Sequence, residues 1–318
     1  MDKKGFIKYM EGKNYALTTI RTRIKYVEHF LAKVKKEDIQ VTKPDVLKFL
    51  EYLKNRRTLQ NTSRRHFLNA INCYFDCLLQ NGQIDKNPCM LLKIRGQKRK
   101  TLYKIYTSEE LDTLFDNYYN VCVRNYDYSR YRYSEQKERS ALAKERNAVI
   151  LSILINQGAT TGEVAKIQTG DIDLTKATLK IQGGRHSNER TIPLKATQIG
   201  LLMHYLQNIR PQFMEYQTKE TDKLILLLPR GNGNRQQAND KYIANVFSFL
   251  AKNLQTIDKQ FFNFLQIRAS VITNWLKTTN LRKTQYLAGH RFVSSTESYQ
   301  VNNLDSLIDD INKLHPFL

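Results

Sequence analysis

The last part of the chain brings together side chains that could act on a phosphate ester. Arg268 is followed by Gly289-His290 and then, nine residues later, by Tyr299. An arginine fork binds two oxygens at once and keeps its charge at any ordinary pH. A tyrosine phenol has an ordinary pKa of about 10, so it becomes a useful nucleophile only where cations favour the phenolate. These residue types suit a metal-free attack on a phosphodiester, in which cations hold the nonbridging oxygens and an acid protonates the leaving oxygen.

The motifs of other catalytic classes are missing from the sequence. Asp171 and Asp173 form a solitary carboxylate pair, so we expect neither a metal site nor a cofactor. The turn at residues 231–234 lacks the lysine and the following hydroxyl residue of a phosphate-binding loop. The four cysteines form no Cys-x-x-Cys pair and are expected to be buried thiols in a reducing cytosol. Because no long apolar run or apolar leader occurs, we expect no membrane span and no secretory signal.

The net charge indicates the kind of partner. The chain has 318 residues, a formal net charge of +21 and a pI near 9.7. An excess this large predicts a polyanionic partner, nucleic acid above all, and argues against an ordinary enzyme of small-molecule metabolism. Residues 1–100 contain 23 Lys and Arg but only nine Asp and Glu. Most of the excess charge therefore belongs to the N-terminal third.

This basic N-terminal segment has the periodicity of helices. Apolar residues recur at three- and four-residue steps over 20–34, and another helix is predicted to begin near Asn61 and to end at Gly82. The first turn of that helix and the stretch before it contain four arginines: Arg56, Arg57, Arg64 and Arg65. A cation at a helix N-terminus opposes the helix dipole, and a bound phosphate would reverse that sign. We expect these arginines to contact a DNA backbone; a solvated basic face is the alternative.

A basic stretch separates two predicted domains. Residues 95–101 have no apolar side chain and four positive charges, so the stretch cannot bury itself. We expect a helical DNA-binding domain at 1–95, a basic linker at 96–104 and a larger domain at 105–318. The linker cations expected to contact DNA are Lys98, Arg99 and Lys100. A flexible connection without a binding role is the alternative.

The larger domain is predicted to be mostly helical with a small β-sheet. Residues 178–182 and 190–194 have the pattern of two strands around a polar turn, and 146–157 that of an apolar helix. The fold class is therefore mainly α with a small sheet (α+β). Residues 118–133 interleave six tyrosines with three arginines, a composition that suits stacking on bases or holding phosphates. An exposed surface insertion explains this segment equally well.

Four segments resemble, in order and spacing, the motifs of the tyrosine recombinase (phage-type integrase) family. Residues 158–167 resemble the segment with the family's first arginine, and 171–194 its β-hairpin with the following strand. Residues 265–270 resemble its His-x-x-Arg helix, and 287–299 its Gly-His pair and nucleophile. The basic helical N-terminal domain resembles its core-binding domain. The likeness is strongest to integrase-like proteins of Bacteroidetes mobile elements.

The resemblance implies a site-specific DNA recombinase or integrase. Such an enzyme clamps double-stranded DNA and cuts and rejoins strands through a 3′-phosphotyrosyl intermediate, without ATP or metal. On this basis Tyr299 is the nucleophile, Arg268 binds the scissile phosphate and His290 hydrogen-bonds to it. The hairpin lysine of the family is replaced by Arg185, which can bind phosphate but is a poor general acid because its pKa exceeds about 12.

Beyond Arg185, further positions depart from the family pattern, among them Ala269, which follows Arg268 where the family often has a histidine. Thr160 occupies the place of the first arginine, and Leu265 the place of the histidine in the His-x-x-Arg motif. Loss of one phosphate-binding donor costs roughly 3 kcal/mol, or about 10²-fold in rate, by analogy with an oxyanion hole. The alternative function is therefore a DNA-binding protein that keeps the fold without cleavage, as a repressor or an architectural subunit.

The C-terminal residues 303–314 have the pattern of a short acidic helix with one apolar stripe. The family that the chain resembles passes its terminal helix to a neighbouring subunit on DNA. The resemblance therefore implies a homo-oligomer, from dimer to tetramer, in the bacterial cytoplasm on nucleoid DNA. Packing of this helix on its own domain is the alternative.

Overall fold

The computed structural model describes residues 1–96, 104–184, 187–228 and 242–300. The chain divides into two compact units, Met1–Thr101 and Leu102–Leu318. Several predicted features lie outside the described residues: Lys98, Arg99 and Lys100 of the linker, Arg185 of the hairpin turn, and the helix at 303–314. Among the described residues, no helix has the length and apolar character needed to cross a membrane.

The first unit is helical in all of its regular elements that the structure describes. These are α1 (Lys3–Gly12), α2 (Leu17–Val34), a 3₁₀ turn (Asp38–Gln40), α3 (Lys43–Asn55) and α4 (Asn61–Gln80). A capping box of Thr42 and Asp45, with a proline in the first turn, begins α3. Helix α4 ends two residues before Gly82, whose φ of 68° lies in the left-handed region.

Aromatic rings form the centre of this unit. Phe30 of α2 meets Phe49 of α3 edge to face at 5.1 Å between centroids, and Phe75 of α4 at 6.2 Å. Such edge-to-face pairs stabilise a core beyond the apolar area that they bury. Cys73, Cys77 and Cys89 are buried in the same core as free thiols, as the sequence predicted.

The second unit combines helices with one small sheet. Its elements are α5 (Ser108–Tyr118), a π-helical turn (Tyr119–Arg124), α6 (Ser134–Gln157), α7 (Thr161–Val164), a 3₁₀ turn (Thr169–Asp171), β1 (Ile172–Asp173), β2 (Thr178–Ile181), β3 (Arg190–Pro193), α8 (Ala196–His204), a π-helical turn (Tyr205–Ile209), α9 (Arg210–Met214), α10 (Ile243–Ile257), α11 (Phe264–Thr278), α12 (Leu281–Ala288) and α13 (Val293–Glu297). The predicted fold class, mainly α with a small sheet, is confirmed.

Helix α6 lies at the centre of the second unit. Every residue from Ala148 to Leu154 is buried, so the helix is enclosed on all sides over two turns. The helix begins at Ser134, twelve residues before the start that its apolar pattern predicts. The first turns are polar and exposed, so they have no apolar periodicity to detect. The C-terminus of α6 is capped by Gly158 in the left-handed conformation.

The sheet is antiparallel in the order β1-β2-β3. Leu179 pairs with Ile192, and Ile181 with Arg190. These four side chains are all buried, because alternate residues of a strand face the same side. One face of the sheet therefore directs the side chain of Arg190 into the protein interior, together with three aliphatic side chains.

The tyrosine-rich segment 118–133 is built into the second unit more than either sequence interpretation expects. Tyr118 is fully buried at the end of α5. The rings of Tyr126, Tyr128 and Tyr131 contact one another, and the first two also contact the ammonium of Lys144 on α6. Much of the aromatic surface of this segment is therefore used within the protein.

Candidate active site

The structure brings together three of the four predicted catalytic residues. Arg268 comes from the second turn of α11, His290 follows the end of α12, and Tyr299 follows α13. Two residues that were not predicted as site residues complete the cluster: Glu163 of α7 and Arg190 of β3. We call these five residues the arginine cluster.

Arg268 is held by the backbone at the ends of two helices. Its guanidinium donates hydrogen bonds to the carbonyl oxygen of Gly158, at the end of α6, and to that of Ala288 at 2.8 Å. The side chain is 7% exposed. Because carbonyls at helix C-termini have no partner within the helix, a buried guanidinium satisfies them and is itself fixed in place.

The hydrogen bonds of His290 determine which ring nitrogen is protonated. Arg268 Nη2 lies 3.2 Å from Nε2, and Thr296 Oγ1 lies 2.9 Å from Nδ1. A guanidinium can only donate, so Nε2 accepts and Nδ1 carries the hydrogen. Burial, aided by the charges of Arg268 and Arg190, lowers the pKa of His290 to about 4. The imidazole is therefore neutral at physiological pH.

Tyr299 lies against this histidine. The two rings stack with centroids 5.7 Å apart and planes at 14°. The phenol also interacts with the guanidinium of Arg268, through charge and through a side-chain hydrogen bond. The tyrosine therefore lies beside a cation whose position is fixed by the backbone.

Arg190 and Glu163 form a buried bidentate ion pair. Nη1 of Arg190 lies 2.8 Å from one carboxylate oxygen, and Nη2 lies 3.2 Å from the other. Arg268 Nη1 lies 3.8 Å from the same carboxylate, so Glu163 stands between two arginines. Burial alone would raise the pKa of Glu163, but the hydrogen bonds and charge of Arg190, with smaller contributions from Thr160 and Arg268, lower it to about 2. The carboxylate is therefore ionised, and the three groups together are positive.

One donor of Arg190 has no partner in the protein among the described residues. This donor is the buried Nε. A buried N–H without a partner costs free energy unless something in the working state accepts from it. The Arg190 side chain is 0% exposed, so an acceptor from outside could reach this donor only after the surrounding side chains moved.

Gly289 allows Arg190 to occupy this place. A Cβ at position 289 would overlap Nη1 of Arg190 and would lie 3.1 Å from the carbonyl oxygen of Asn188. The φ of Gly289 is 68°, which side chains rarely adopt. The glycine before His290 is therefore required both by its backbone conformation and by the guanidinium beside it.

Thr160 and Leu265, which stand where the family has an arginine and a histidine, contribute no charge to the arginine cluster. Thr160 caps α7: its hydroxyl accepts from the backbone N–H of Glu163 at 3.2 Å, and it lies 3.0 Å from a Glu163 oxygen. Leu265, at the start of α11, is 65% exposed. The exposed leucine offers the site neither a proton nor a hydrogen bond.

The predicted DNA-contacting arginines of the first unit fall into two groups. Arg56 and Arg57, after α3, are exposed. Arg64 and Arg65, in the first turn of α4, are half-buried and bond within the unit. Arg64 donates to Asn61 Oδ1 and Arg65 to the carbonyl oxygen of Ile94, each at 3.0 Å. This second pair also holds the chain that leaves the unit.

A sequence signal for Arg190 does exist. In the segment 190–194 the inward positions of the strand alternate with the outward ones, and Arg190 shares a face with Ile192. A charged residue at an inward strand position needs a buried partner of opposite sign. Glu163, three residues after Thr160, is such a partner, but the distance between the two in sequence hides the pairing.

The arrangement places cations beside a neutral imidazole and a phenol, with Arg190 fully buried and paired to Glu163. Two buried guanidinium groups, a neutral imidazole and a phenol converge, and one carboxylate offsets part of the positive charge. No group of three or more potential metal ligands occurs in the parts of the chain that the structure describes. Two fixed guanidinium groups around a phosphoryl group are an arrangement that lowers the barrier to phosphoryl transfer.

The chain belongs to the phage integrase family, the tyrosine recombinases. Residues 131–305 match the model of the phage integrase family, and residues 4–85 match that of the phage integrase N-terminal SAM-like domain. The likeness extends along nearly the whole chain. The tyrosine recombinase XerC of Bacillus licheniformis is 26% identical over 98% of this chain and 95% of its own length. XerC of Pediococcus pentosaceus is 24% identical over 86% of this chain and 81% of its own.

Solved structures have the same fold. The Tn1549 transposon integrase in complex with a circular intermediate DNA aligns with a TM-score of 0.61 at 14% identity, over 98% of this chain and 99% of that one. The XerH site-specific recombinase bound to its palindromic difH substrate aligns with a TM-score of 0.61 at 16% identity, over 95% of this chain and 81% of that one.

Proposed function

We propose that this protein is a site-specific DNA recombinase or integrase that cuts and rejoins strands through Tyr299. The observation that carries the proposal is the arginine cluster: Arg190 comes from β3 and supplies a second buried guanidinium where Thr160 cannot. Family membership and the likeness to DNA-bound recombinases support the same activity.

The proposed reaction needs no energy source beyond the DNA itself. The phenolic oxygen of Tyr299 attacks the scissile phosphorus, a bond from phosphorus to that oxygen forms, and the bond from phosphorus to the 5′ oxygen breaks. The phenol gives up its proton, and the leaving oxygen takes one to become a 5′-hydroxyl. Because the phosphotyrosine is again a phosphodiester, a 5′-hydroxyl can attack it and rejoin a strand.

The cations are proposed to act on the nonbridging oxygens. Arg268 and Arg190 hold them and offset the charge that builds up in the transition state. His290 is neutral before DNA arrives, and an anion beside it favours the protonated form and so raises its pKa. The imidazolium can then donate to the phosphate. Arg185, on the hairpin turn, is proposed as a further phosphate contact.

We assign double-stranded DNA as the partner, held by both domains. The proposed domains are residues 1–95 and 105–318, joined by the basic linker 96–104. The proposed backbone contacts are Arg56, Arg57, Arg64, Arg65, Lys98, Arg99 and Lys100. Assembly on DNA into a dimer to tetramer through the helix at 303–314, and a place on the bacterial nucleoid, complete the proposal.

Covalent trapping on nicked substrates tests cleavage. The substrates are the DNA ends of the mobile element that encodes the protein, each nicked close to the scissile phosphate. The short cleaved strand then diffuses away, so the covalent adduct accumulates. We expect a protein–DNA adduct for the wild type and none for Tyr299→Phe. Tyr133→Phe is the matched control, because Tyr133 is an exposed tyrosine of the same unit.

The second candidate function is DNA binding without cleavage. The hydroxyl at Thr160 and the exposed Leu265 favour it, since neither can replace the family residue. Tight and specific binding of the element ends, with no adduct on any nicked substrate, would establish this second function and reject the first.

A further inference from the structure

A second cavity lies in the larger unit, away from the arginine cluster. It has a volume of about 520 Å³ and opens between α6, α10 and the tyrosine-rich segment. Lys144 lines it. Since Lys144 precedes Gly158 by fourteen residues of α6, the two are about 21 Å apart along that helix. The cavity is therefore a separate place on the protein.

A buried cation without a counterion faces this cavity. Lys144 is 7% exposed, and its Nζ has no hydrogen-bond partner among the described residues. The ammonium lies over the rings of Tyr126 and, at 4.7 Å, of Tyr128. The buried hydroxyl of Tyr126 also lacks a hydrogen-bond partner there. Aromatic faces attract the ammonium but do not accept its hydrogen bonds.

The charge of the cavity wall has one sign. Arg130, Lys144 and Arg146 line it, and no carboxylate does so among the described residues. Burial lowers the pKa of Lys144 to about 7. An isolated buried ammonium is costly, so an anion in the cavity would relieve the cost and restore the charge.

The opposite wall offers a planar surface with amides at both sides. Asn245, Phe249 and Asn253 of α10 line the cavity at four-residue intervals, so they follow one another along one face of the helix. Phe249 is 60% exposed, which is unusual for so large an apolar ring. An aromatic ring between two amides can stack on a heterocycle while the amides hydrogen-bond its edge.

We propose that this cavity binds one nucleotide: its phosphate on Lys144 and Arg130, and its base against Phe249 between Asn245 and Asn253. The volume suits a ligand of this size. The same chemistry is offered by a free nucleoside monophosphate and by an unpaired nucleotide of a DNA strand. In either case the ligand supplies the anion that the wall lacks and a planar ring to stack on Phe249.

Calorimetric titration of the full-length protein with adenosine 5′-monophosphate is the first test. We expect saturable binding to the wild type and a loss of about tenfold or more in affinity for both Lys144→Met and Phe249→Ala. Lys219→Met, which removes an exposed lysine of the same unit, should bind like the wild type. Melting temperatures confirm that the variants are folded.

Three results would overturn the proposal: no saturable binding of any of the four mononucleotides, unchanged affinity in both cavity variants, or inorganic phosphate binding as tightly as the nucleotide. Competition with duplex DNA distinguishes the two possible ligands, a free nucleoside monophosphate and an unpaired nucleotide of a strand. Displacement of the mononucleotide by a duplex with one unpaired nucleotide, but not by a fully paired duplex, assigns the cavity to DNA. A lack of displacement by either duplex assigns it to free nucleotide.

Discussion

At the scale of single residues, the site depends on which side chain supplies the second buried cation. Thr160 offers a hydroxyl that is already used to cap α7. Arg190 supplies the charge from another element and is paired with Glu163 in two-point geometry. An ion pair of this kind orients the guanidinium and leaves its Nε without a partner among the described residues. On the proposed function, catalysis depends on Arg190, and single-turnover rates measure that dependence.

Replacement of Arg190 tests this dependence. We expect Arg190→Ala to slow adduct formation by about 10²-fold or more, because one phosphate donor is lost. The variant should also lose roughly 3 kcal/mol of unfolding free energy, since the buried Glu163 loses its two-point ion pair and keeps only Thr160 and the more distant Arg268. The double variant Arg190→Met/Glu163→Gln should recover much of the stability but none of the rate, as measured by urea unfolding and single-turnover cleavage. Recovery of both would assign Arg190 a structural role only.

The low pKa of His290 predicts how stability depends on pH. The folded protein resists protonation until about pH 4, whereas an unfolded histidine takes up its proton near pH 6.5. The free energy of unfolding should therefore fall as the pH drops from 6.5 towards 4, by up to about 2 kcal/mol between pH 7 and pH 5. Glu163, with its pKa of about 2, adds a further loss only below about pH 4.5.

Urea unfolding at several pH values, without DNA, measures this effect. His290→Gln should remove most of the slope between pH 7 and pH 5. His66→Gln changes an exposed histidine of α4 and serves as the matched control. A slope that is unchanged in His290→Gln would contradict the assignment of a neutral, partly buried imidazole.

At the scale of elements, the site is assembled from the ends of helices and the start of one strand. The end of α6 and the end of α12 both bond to Arg268, while β3 and α7 provide the Arg190–Glu163 pair. The close approach of β3 to the end of α12 leaves no room for a side chain at Gly289. Packing of these two elements is therefore needed before any chemistry.

Two glycine variants distinguish the effect of this close packing on stability from the effect of backbone strain. Gly289 and Gly82 have the same φ of 68°, but only Gly289 has atoms within 4 Å of an added Cβ. We expect Gly82→Ala to cost about 1 kcal/mol from strain alone. Gly289→Ala should cost clearly more and should also abolish adduct formation, because Arg190 must move. Equal losses of stability, with cleavage intact in Gly289→Ala, would contradict the overlap with Arg190.

The same elements show how much of the fold and of the site can be predicted from the sequence alone. The two strands and α11 follow from periodicity, and Arg268, His290 and Tyr299 follow from family spacing. The pairing of Arg190 with Glu163 joins positions 27 residues apart and depends on how β3 packs on α7, which no local pattern encodes. The early start of α6 was missed for the opposite reason, since its first turns are exposed and have no apolar face.

At the scale of the whole molecule, the excess of positive charge governs the first approach of a polyanion. Much of that charge lies in the first unit, where Arg56 and Arg57 are exposed. Arg64 and Arg65 are engaged within that unit. Affinity for duplex DNA should therefore depend steeply on salt, because each neutralised phosphate releases counterions.

The salt dependence can be assigned to particular arginines. We expect Arg56→Gln/Arg57→Gln to reduce the slope of log affinity against log salt by about 2, one unit for each lost phosphate contact. Lys4→Gln/Lys8→Gln removes the same charge from exposed positions of α1 and should change the slope less. Fluorescence anisotropy with a labelled duplex gives both slopes. Equal effects of the two pairs would indicate general attraction without defined contacts.

The position of Arg190 at the start of β3 also affects how related sequences should be classified as active or inactive. A motif filter that demands an arginine at the position of Thr160 would classify this chain among inactive relatives. On the proposed function, the pairing of the buried Glu163 with an arginine from β3 is a further criterion, to be applied beside the residue at the position of Thr160. Sequences that keep the glutamate but have neither arginine are then expected to lack cleavage.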